Sequence, residues 1–250
     1  MADAWGAPPA SPPPLDAGVV HVWRASLRPS PAVLARLERH LDADERDRAS
    51  RYRFPALREA FVAGRGVQRE ILSRYVDASP ASLRYALSAH GKPELSGPAA
   101  ARGIRFNVSN SGDLALFAIT VGRRVGVDLE WMKEMDDAMD VARRFFSAPE
   151  NEVFAALPAE VRHKAFFHCW TRKEAYIKAV GEGLSMPLDR FDVAFAPGHA
   201  PRLLATRGDP DEAGRWSLRE VHPGPGYAGA LIVEGDDWTP HFFDWDAGDR

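Results

Sequence analysis

Gly126-Val127-Asp128-Leu129-Glu130 continues an apolar run that starts at Val125 and is interrupted by acids, a pattern typical of a β-strand. Because side chains alternate along a strand, Asp128 and Glu130 point to one face while Val127 and Leu129 point to the other. Two neighbouring acids repel each other unless a cation lies between them. The segment therefore predicts a cation site on its acidic face.

A second segment, Trp170-Thr171-Arg172-Lys173-Glu174-Ala175-Tyr176-Ile177-Lys178, predicts a helix. Glu174 and Lys178 are four residues apart and share a helix face, but the surrounding sequence is too apolar for an ordinary surface ion pair. Carboxylates with a lysine nearby suit a Mg²⁺ ion that also holds substrate phosphates. Together the two segments predict a site for phosphate chemistry.

Four segments in this order resemble the 4′-phosphopantetheinyl transferases, and more narrowly their surfactin-synthetase-activating (Sfp) type: Phe106–Gly112, Gly126–Glu130, Arg144–Ser147 and Trp170–Lys178. The pentapeptide alone is weak evidence, whereas both main blocks at the family's spacing are specific. The likeness runs from about Asp42 to Val193. It implies an α+β fold of two pseudo-symmetric α/β halves with the active site in the cleft between them.

The resemblance implies an enzyme that transfers the 4′-phosphopantetheine arm of coenzyme A to a serine of an apo acyl or peptidyl carrier protein. Adenosine 3′,5′-bisphosphate is the other product. The family's metal-binding acids match Asp128, Glu130 and Glu174, which implies a Mg²⁺ cofactor. Glu174 is also the candidate base for the serine proton, and Lys178 and Lys173 match the family's two lysines, with Lys178 next to the pyrophosphate.

The resemblance also implies contacts to coenzyme A in the N-terminal half, from Arg48, Lys92, Ser109 and Asn110. Arg53 and His90 are further candidates for coenzyme A binding. Arg48 and Lys92, the latter in a Gly-Lys-Pro turn, match positions that approach the 3′-phosphate. The sequence departs from the family at Asn110, because the family commonly has histidine there and an amide carries no charge. His90 is either a substitute cation or an ordinary loop histidine.

Composition limits the remaining classes. A formal net charge of −3 argues against a general nucleic-acid binder, and no apolar stretch approaches the ~20 residues of a membrane helix. The N-terminus lacks the features of a signal peptide, and the one cysteine, Cys169, excludes an internal disulfide. We expect a cytoplasmic protein, and a monomer because both halves belong to one chain.

The sequence predicts a disordered, proline-rich tail over residues 1–17 and an N-terminal half over residues 18–122 that binds the nucleotide of coenzyme A. Residues 123–245 form the C-terminal half, with the metal-binding acids and the catalytic helix. Strands are expected at 19–23, 83–88, 104–108, 114–121, 125–130, 191–196, 216–221, 227–233 and 239–243. Helices are expected at 31–41, 43–76 with an interruption at Pro55, 136–145, 149–157 and 159–180.

Two other functions stay open. One is another Mg²⁺-dependent phosphoryl-transfer enzyme, such as a pyrophosphatase or nucleotide hydrolase, which needs no carrier protein. The other is a catalytically lapsed module that binds coenzyme A or a carrier protein. Retention of the three acids and Lys178 argues against lapse, while Asn110 keeps it open.

Overall fold

The structure, a computed structural model, describes residues 3–7, 9, 11, 14–181 and 186–245. Six α-helices lie within these ranges: α1 Pro31–Glu38, α2 Ala43–Ser50, α3 Pro55–Ser73, α4 Ala138–Phe145, α5 Ala148–Ala156 and α6 Ala159–Val180. The strands are β1 Val19–Ser26, β2 Tyr85–Leu87, β3 Pro93–Leu95, β4 Ile104–Ser111, β5 Leu114–Val121, β6 Val125–Trp131, β7 Phe191–Ala194, β8 Arg202–Thr206, β9 Trp216–Val221, β10 Tyr227–Glu234 and β11 Thr239–Asp244.

Helix boundaries follow from their end residues. Ser30 caps α1 by accepting a hydrogen bond from the backbone of Val33, as its place before Pro31 predicted. The expected interruption at Pro55 is also observed, because α2 ends at Ser50 and α3 begins at the proline. At the C-terminal end of α6, Gly181 adopts a left-handed conformation with φ of 85° and ends the helix.

The two halves share one strand order. β1 pairs antiparallel with β5 and β5 with β4, which gives the order β1-β5-β4. β6 pairs antiparallel with β10 and β10 with β9, which gives the order β6-β10-β9. In each half the first strand is followed by helices, a short hairpin (β2–β3 or β7–β8) and then the other two strands. The predicted fold of two pseudo-symmetric halves is confirmed.

The structure differs from the predicted domain limits at both ends of the chain. β11 pairs in parallel with β1, so residues assigned to the C-terminal half belong to the N-terminal sheet. Trp5 packs edge-on against Phe242, and Gly6 forms a bridge to Phe243. The predicted disordered tail therefore does not hold for these residues, because Trp5 supplies apolar area that the prolines lack. Pro8, Pro12 and Pro13 lie outside the described residues.

The halves meet where β4 lies beside β6, and side chains rather than backbone carbonyls join them. Side-chain oxygens of three alternate β4 residues accept hydrogen bonds from β6 backbone N–H groups: Asn107 from Val127 (2.8 Å), Ser109 from Leu129 (3.2 Å) and Ser111 from Trp131 (3.0 Å). We call this junction the seam. It places the conspicuous Asn-x-Ser-x-Ser sequence directly against the strand that carries Asp128 and Glu130.

Helix α6 lies against β6 with backbone contact at Gly126. A Cβ atom on Gly126 would lie 2.6 Å from the Ala179 nitrogen and 2.9 Å from the Ala179 Cβ, and closer still to the Ala175 carbonyl oxygen. Only glycine therefore permits this approach. The contact brings the last turns of α6, with Glu174 and Lys178, next to the acidic face of β6. Within the described residues, no helix has the length and apolarity needed to cross a membrane.

Candidate active site

The centre of the site is a cluster of Asp128, Lys178 and Ser109. The Lys178 ammonium donates to Asp128 Oδ1 at 2.6 Å and to Ser109 Oγ at 2.8 Å, and Ser109 Oγ donates to the same Asp128 oxygen at 2.8 Å. The Asp128 side chain is only 4% exposed, whereas that of Lys178 is 27% exposed. The cluster thus joins β4, β6 and α6 and presents Lys178 towards solvent.

Glu130 and Glu174 lie next to this cluster. Burial raises the pKa of both carboxyl groups, and the negative charge of Asp128 raises them further. A hydrogen bond from Ser111 Oγ to Glu130 (2.8 Å) opposes that rise, as does the positive charge of Lys178. Three carboxylates share one lysine here, so the site carries more negative than positive charge.

The donor set fits a divalent cation. Asp128 Oδ2 is buried and makes no hydrogen bond within the described part of the chain. The surrounding acids supply further hard oxygen atoms of the kind that Mg²⁺ prefers. Over the described ranges, however, no group of three or more His, Cys, Asp or Glu side chains already has an arrangement that would hold a metal ion. Asp128 Oδ1 is engaged by Lys178 instead. Metal binding by the three predicted acids stays a prediction.

A cavity of about 680 Å³ lies on the N-terminal side of the seam. Seam residues Asn107 and Ser111 line it, together with Asn110, and Ser111 connects it to Glu130. Arg48 and Arg65 also line the cavity, each stacked on Phe61, with guanidinium carbons 5.2 and 5.8 Å from the ring centroid. Cations stacked on an aromatic ring beside a polar wall suit a phosphorylated ligand.

The structure brings some predicted coenzyme A residues to this cavity and not others. Arg48, Lys92 and Asn110 line it, whereas Ser109 is buried in the acid–lysine cluster. Arg53 is exposed, lies beside Phe54 and does not line the cavity. His90 lies on the exposed loop between β2 and β3 and lines a second, smaller cavity of about 360 Å³.

Lys92 does not extend freely into the cavity. Its ammonium donates to the backbone carbonyl of Lys178 at 2.6 Å and to that of Val125 at 3.2 Å. Burial lowers the pKa of Lys92 to about 8; Glu94 opposes this change, and Arg105 and Arg124 reinforce it. The side chain predicted to meet a phosphate therefore contacts the C-terminal half of the protein.

The predicted catalytic role of Lys173 does not fit the structure. Its side chain is 0% exposed, and its ammonium pairs with Glu150 at 2.7 Å and donates to the Phe191 carbonyl at 2.6 Å. Glu150 in turn accepts hydrogen bonds from the backbone of Val193 and Ser147. Lys173 thus ties α6 to α5 and β7 inside the core, on the side of the helix away from Asp128.

Three residues that line the 680 Å³ cavity were missed by the sequence interpretation: Tyr52, Phe61 and Arg65. A signal existed for two of them, because Phe61 and Arg65 are four residues apart on α3 and share a face. Tyr52 packs against Phe61 at 5.4 Å between ring centroids. Its position depends on how α2 leads into α3, which the sequence pattern does not specify.

Comparison with known proteins agrees with the division of the chain into two halves. The family model of the 4′-phosphopantetheinyl transferase superfamily matches residues 124–232, and the model of the N-terminal part of a 4′-phosphopantetheinyl transferase matches residues 25–121. The 4′-phosphopantetheinyl transferase HetI of Nostoc sp. is 38% identical over 224 residues, which cover 90% of this chain and 91% of HetI. The chain belongs to the 4′-phosphopantetheinyl transferases.

Two further comparisons give lower sequence identity. The 4′-phosphopantetheinyl transferase Sfp of Bacillus subtilis is 28% identical over 198 residues, which cover 79% of this chain and 84% of Sfp. Among solved structures, the holo-[acyl-carrier-protein] synthase of Thermotoga maritima superposes with a TM-score of 0.37 at 22% identity, over 45% of this chain and 62% of that one. The two family models meet between β5 and β6, where the halves of this transferase join.

Proposed function

We propose that this transferase moves the 4′-phosphopantetheine arm of coenzyme A to a serine hydroxyl of an apo acyl or peptidyl carrier protein. The proposal places it in the Sfp type, with adenosine 3′,5′-bisphosphate as the second product. One observation carries it: the Asp128–Lys178–Ser109 cluster lies at the seam, next to a cavity lined by Arg48 and Arg65. A phosphate-rich nucleotide and a reacting pyrophosphate both find cationic partners there.

Asp128, Glu130 and Glu174 are the residues that would hold Mg²⁺. Asp128 Oδ2 is buried and has no hydrogen-bond partner among the described residues, and this atom and the excess of carboxylates support the assignment. A bound Mg²⁺ would stabilise the negative charge of the pyrophosphate while the serine oxygen bonds to the phosphorus that carries the pantetheine and the bond between the two phosphates breaks, releasing adenosine 3′,5′-bisphosphate. Ser109 and Ser111 fix the acids in place, because each donates to one of them while accepting from the β6 backbone.

Lys178 is the cation that we assign to the leaving phosphate. It is the partly exposed member of the cluster, and its ammonium lies at the acidic face of β6. Arg48 and Arg65 anchor the nucleotide end, and Asn110 contributes an uncharged donor at the cavity edge. We assign the serine proton to Glu174, directly or through a water molecule, because its carboxyl group lies close to Asp128 and Lys178, where the reacting pyrophosphate would bind.

We further propose that the protein acts as a monomer in the cytoplasm. Both halves of the site come from one chain, so a second copy is not needed to complete it. The one cysteine, Cys169, is buried, which fits a reducing compartment in which no disulfide is required.

The test is the intact mass of an apo carrier protein after incubation with this protein, coenzyme A and Mg²⁺. We expect a gain of about 340 Da, one arm per carrier delivered by metal-assisted transfer, and loss of that gain when Mg²⁺ is chelated. The Asp128→Ala variant should keep its fold and lose the activity. Absence of any gain across several acyl and peptidyl carriers would contradict the proposal and favour a binding module.

A further inference from the structure

The Lys92 side chain connects the two halves at the end of the catalytic helix. Lys92 belongs to the turn between β2 and β3 in the N-terminal half. Its two acceptors, the carbonyls of Val125 and Lys178, belong to β6 and α6 of the C-terminal half. Gly181 lies beside the same side chain, since a Cβ there would lie 3.5 Å from Lys92 Cδ.

The Lys178 carbonyl needs such a partner. The last four carbonyls of an α-helix have no backbone N–H donor within the helix, and the negative end of the helix dipole favours a nearby cation. In α6 the Ile177 carbonyl is satisfied by the backbone N–H of Gly181. Lys92 supplies both a donor and a positive charge to the next carbonyl, which belongs to the residue whose side chain reaches Asp128.

The geometry also argues against a role of Lys92 as a ligand of a substrate phosphate. Lys92 lines both the 680 Å³ cavity and the 360 Å³ cavity, so it lies between them rather than at the end of either. Its ammonium already donates to two carbonyls, and the cavity holds Arg48 and Arg65 as alternative cations for a phosphate.

We propose that Lys92 is a positioning residue that fastens the last turn of α6 to the N-terminal half and so holds Lys178 at Asp128. The inference rests on the proposed transferase activity only for its kinetic part. Loss of Lys92 should loosen the end of α6 and lower turnover, without removing the recognition of the nucleotide 3′-phosphate.

The test compares wild type with Lys92→Met and Lys92→Gln. The control is Lys164→Met, which replaces an exposed lysine on α6. Three quantities are measured: hydrogen–deuterium exchange of peptides covering 177–181, binding of coenzyme A and 3′-dephospho-coenzyme A by calorimetry, and kcat and KM for transfer to a carrier. Exchange and binding need no activity, so a failed transferase proposal is distinguishable from a failed positioning role.

For Lys92→Met we expect faster exchange at the end of α6 and a kcat lowered about ten- to a hundredfold, the penalty of a displaced catalytic group. The ratio of affinities for the two coenzymes should stay within about twofold of wild type, since the 3′-phosphate keeps its arginines. Lys92→Gln, which keeps a neutral donor, should restore part of the protection and of kcat. Lys164→Met should match wild type.

The opposite pattern would overturn the inference. A tenfold or greater loss of discrimination between coenzyme A and its dephospho form in both Lys92 variants, with wild-type exchange at 177–181, would make Lys92 a phosphate ligand. If Lys92→Met does not fold, Lys92→Gln decides alone, because a neutral amide can replace the donor to a carbonyl but not a charge for a phosphate.

Discussion

Substitution of Gly126 by alanine tests whether the close contact of α6 with β6 assembles the site. The new Cβ would lie 2.6 Å from the Ala179 nitrogen and 2.9 Å from the Ala179 Cβ, where ordinary contacts between carbon atoms are about 3.5–4.0 Å. Helix α6 must therefore retreat by about 1 Å. The 2.6 Å contact between Lys178 and Asp128 would lengthen beyond hydrogen-bonding distance.

Two consequences can be measured for Gly126→Ala. Overpacking should lower the free energy of unfolding by about 1–3 kcal/mol, which urea unfolding detects. Displacement of Lys178 by about 1 Å should lower kcat/KM for transfer about a hundredfold at a temperature where the variant is folded. Gly214→Ala is the matched control, because a Cβ there meets nothing within 4 Å.

Wild-type kcat/KM in folded Gly126→Ala would refute the reasoning, since the helix would then have moved without consequence for the reaction. An unchanged free energy of unfolding would refute the packing argument itself. A loss of activity in Gly214→Ala as large as in Gly126→Ala would show that the assay reports on something other than the contact between α6 and β6.

Three further predictions concern buried ionisable groups, and each is tested by measuring the free energy of unfolding in urea. Glu150→Gln leaves Lys173 as an unpaired buried cation, so the free energy of unfolding should fall by about 3–5 kcal/mol, and Glu150→Gln/Lys173→Met should recover most of it. Lys92 has a pKa of about 8 instead of 10.5, so the unfolded chain binds its proton more tightly than the folded protein does. The free energy of unfolding of wild type should therefore rise by about 1–3 kcal/mol between pH 8 and 10.5, relative to that of Lys92→Met. His21 is buried with a pKa of about 4 instead of 6.5, so stability should fall as pH decreases from 6.5 to 4, less steeply in His21→Gln.

Each of these has a contradicting result. An equally unstable double variant would mean that the Glu150–Lys173 pair contributes more than charge compensation. A Lys92→Met variant whose stability changes with pH as wild type does would place the titrating group elsewhere, and the same holds for His21→Gln at acidic pH. Exposed Lys164→Met serves as the common control, because it removes a lysine without changing a buried charge.

Local sequence signals were enough to predict the long helices and strands. The predicted helix over residues 159–180 matches α6 end to end, since an apolar helical stretch is followed by a glycine that ends it. Strands β5 and β9 also have their predicted bounds. β3 and β8 were not predicted, because each is short, only partly buried and close to a proline, and its pairing in a hairpin supplies what its sequence lacks.

The site was predictable as far as helix and strand periodicity reach. Asp128 and Glu130 share a strand face, and Glu174 and Lys178 share a helix face, so each pair could be assigned before their contact was known. The same rule places Lys173 on a different face from Glu174, because neighbouring residues on a helix do not face the same way. Its assignment came from the resemblance alone. The partners of Lys92 and the stacking of Arg48 on Phe61 depend on packing between distant elements, which no local pattern contains.

The most direct test of the proposed transfer is the amount of adenosine 3′,5′-bisphosphate released from coenzyme A with and without an apo carrier protein, measured beside the carrier's intact mass. We expect one nucleotide released for each carrier that gains an arm, and none without carrier, because the serine is the acceptor in the phosphoryl transfer. Release of nucleotide without a carrier, or with an unmodified carrier, would contradict the transferase and identify a hydrolase.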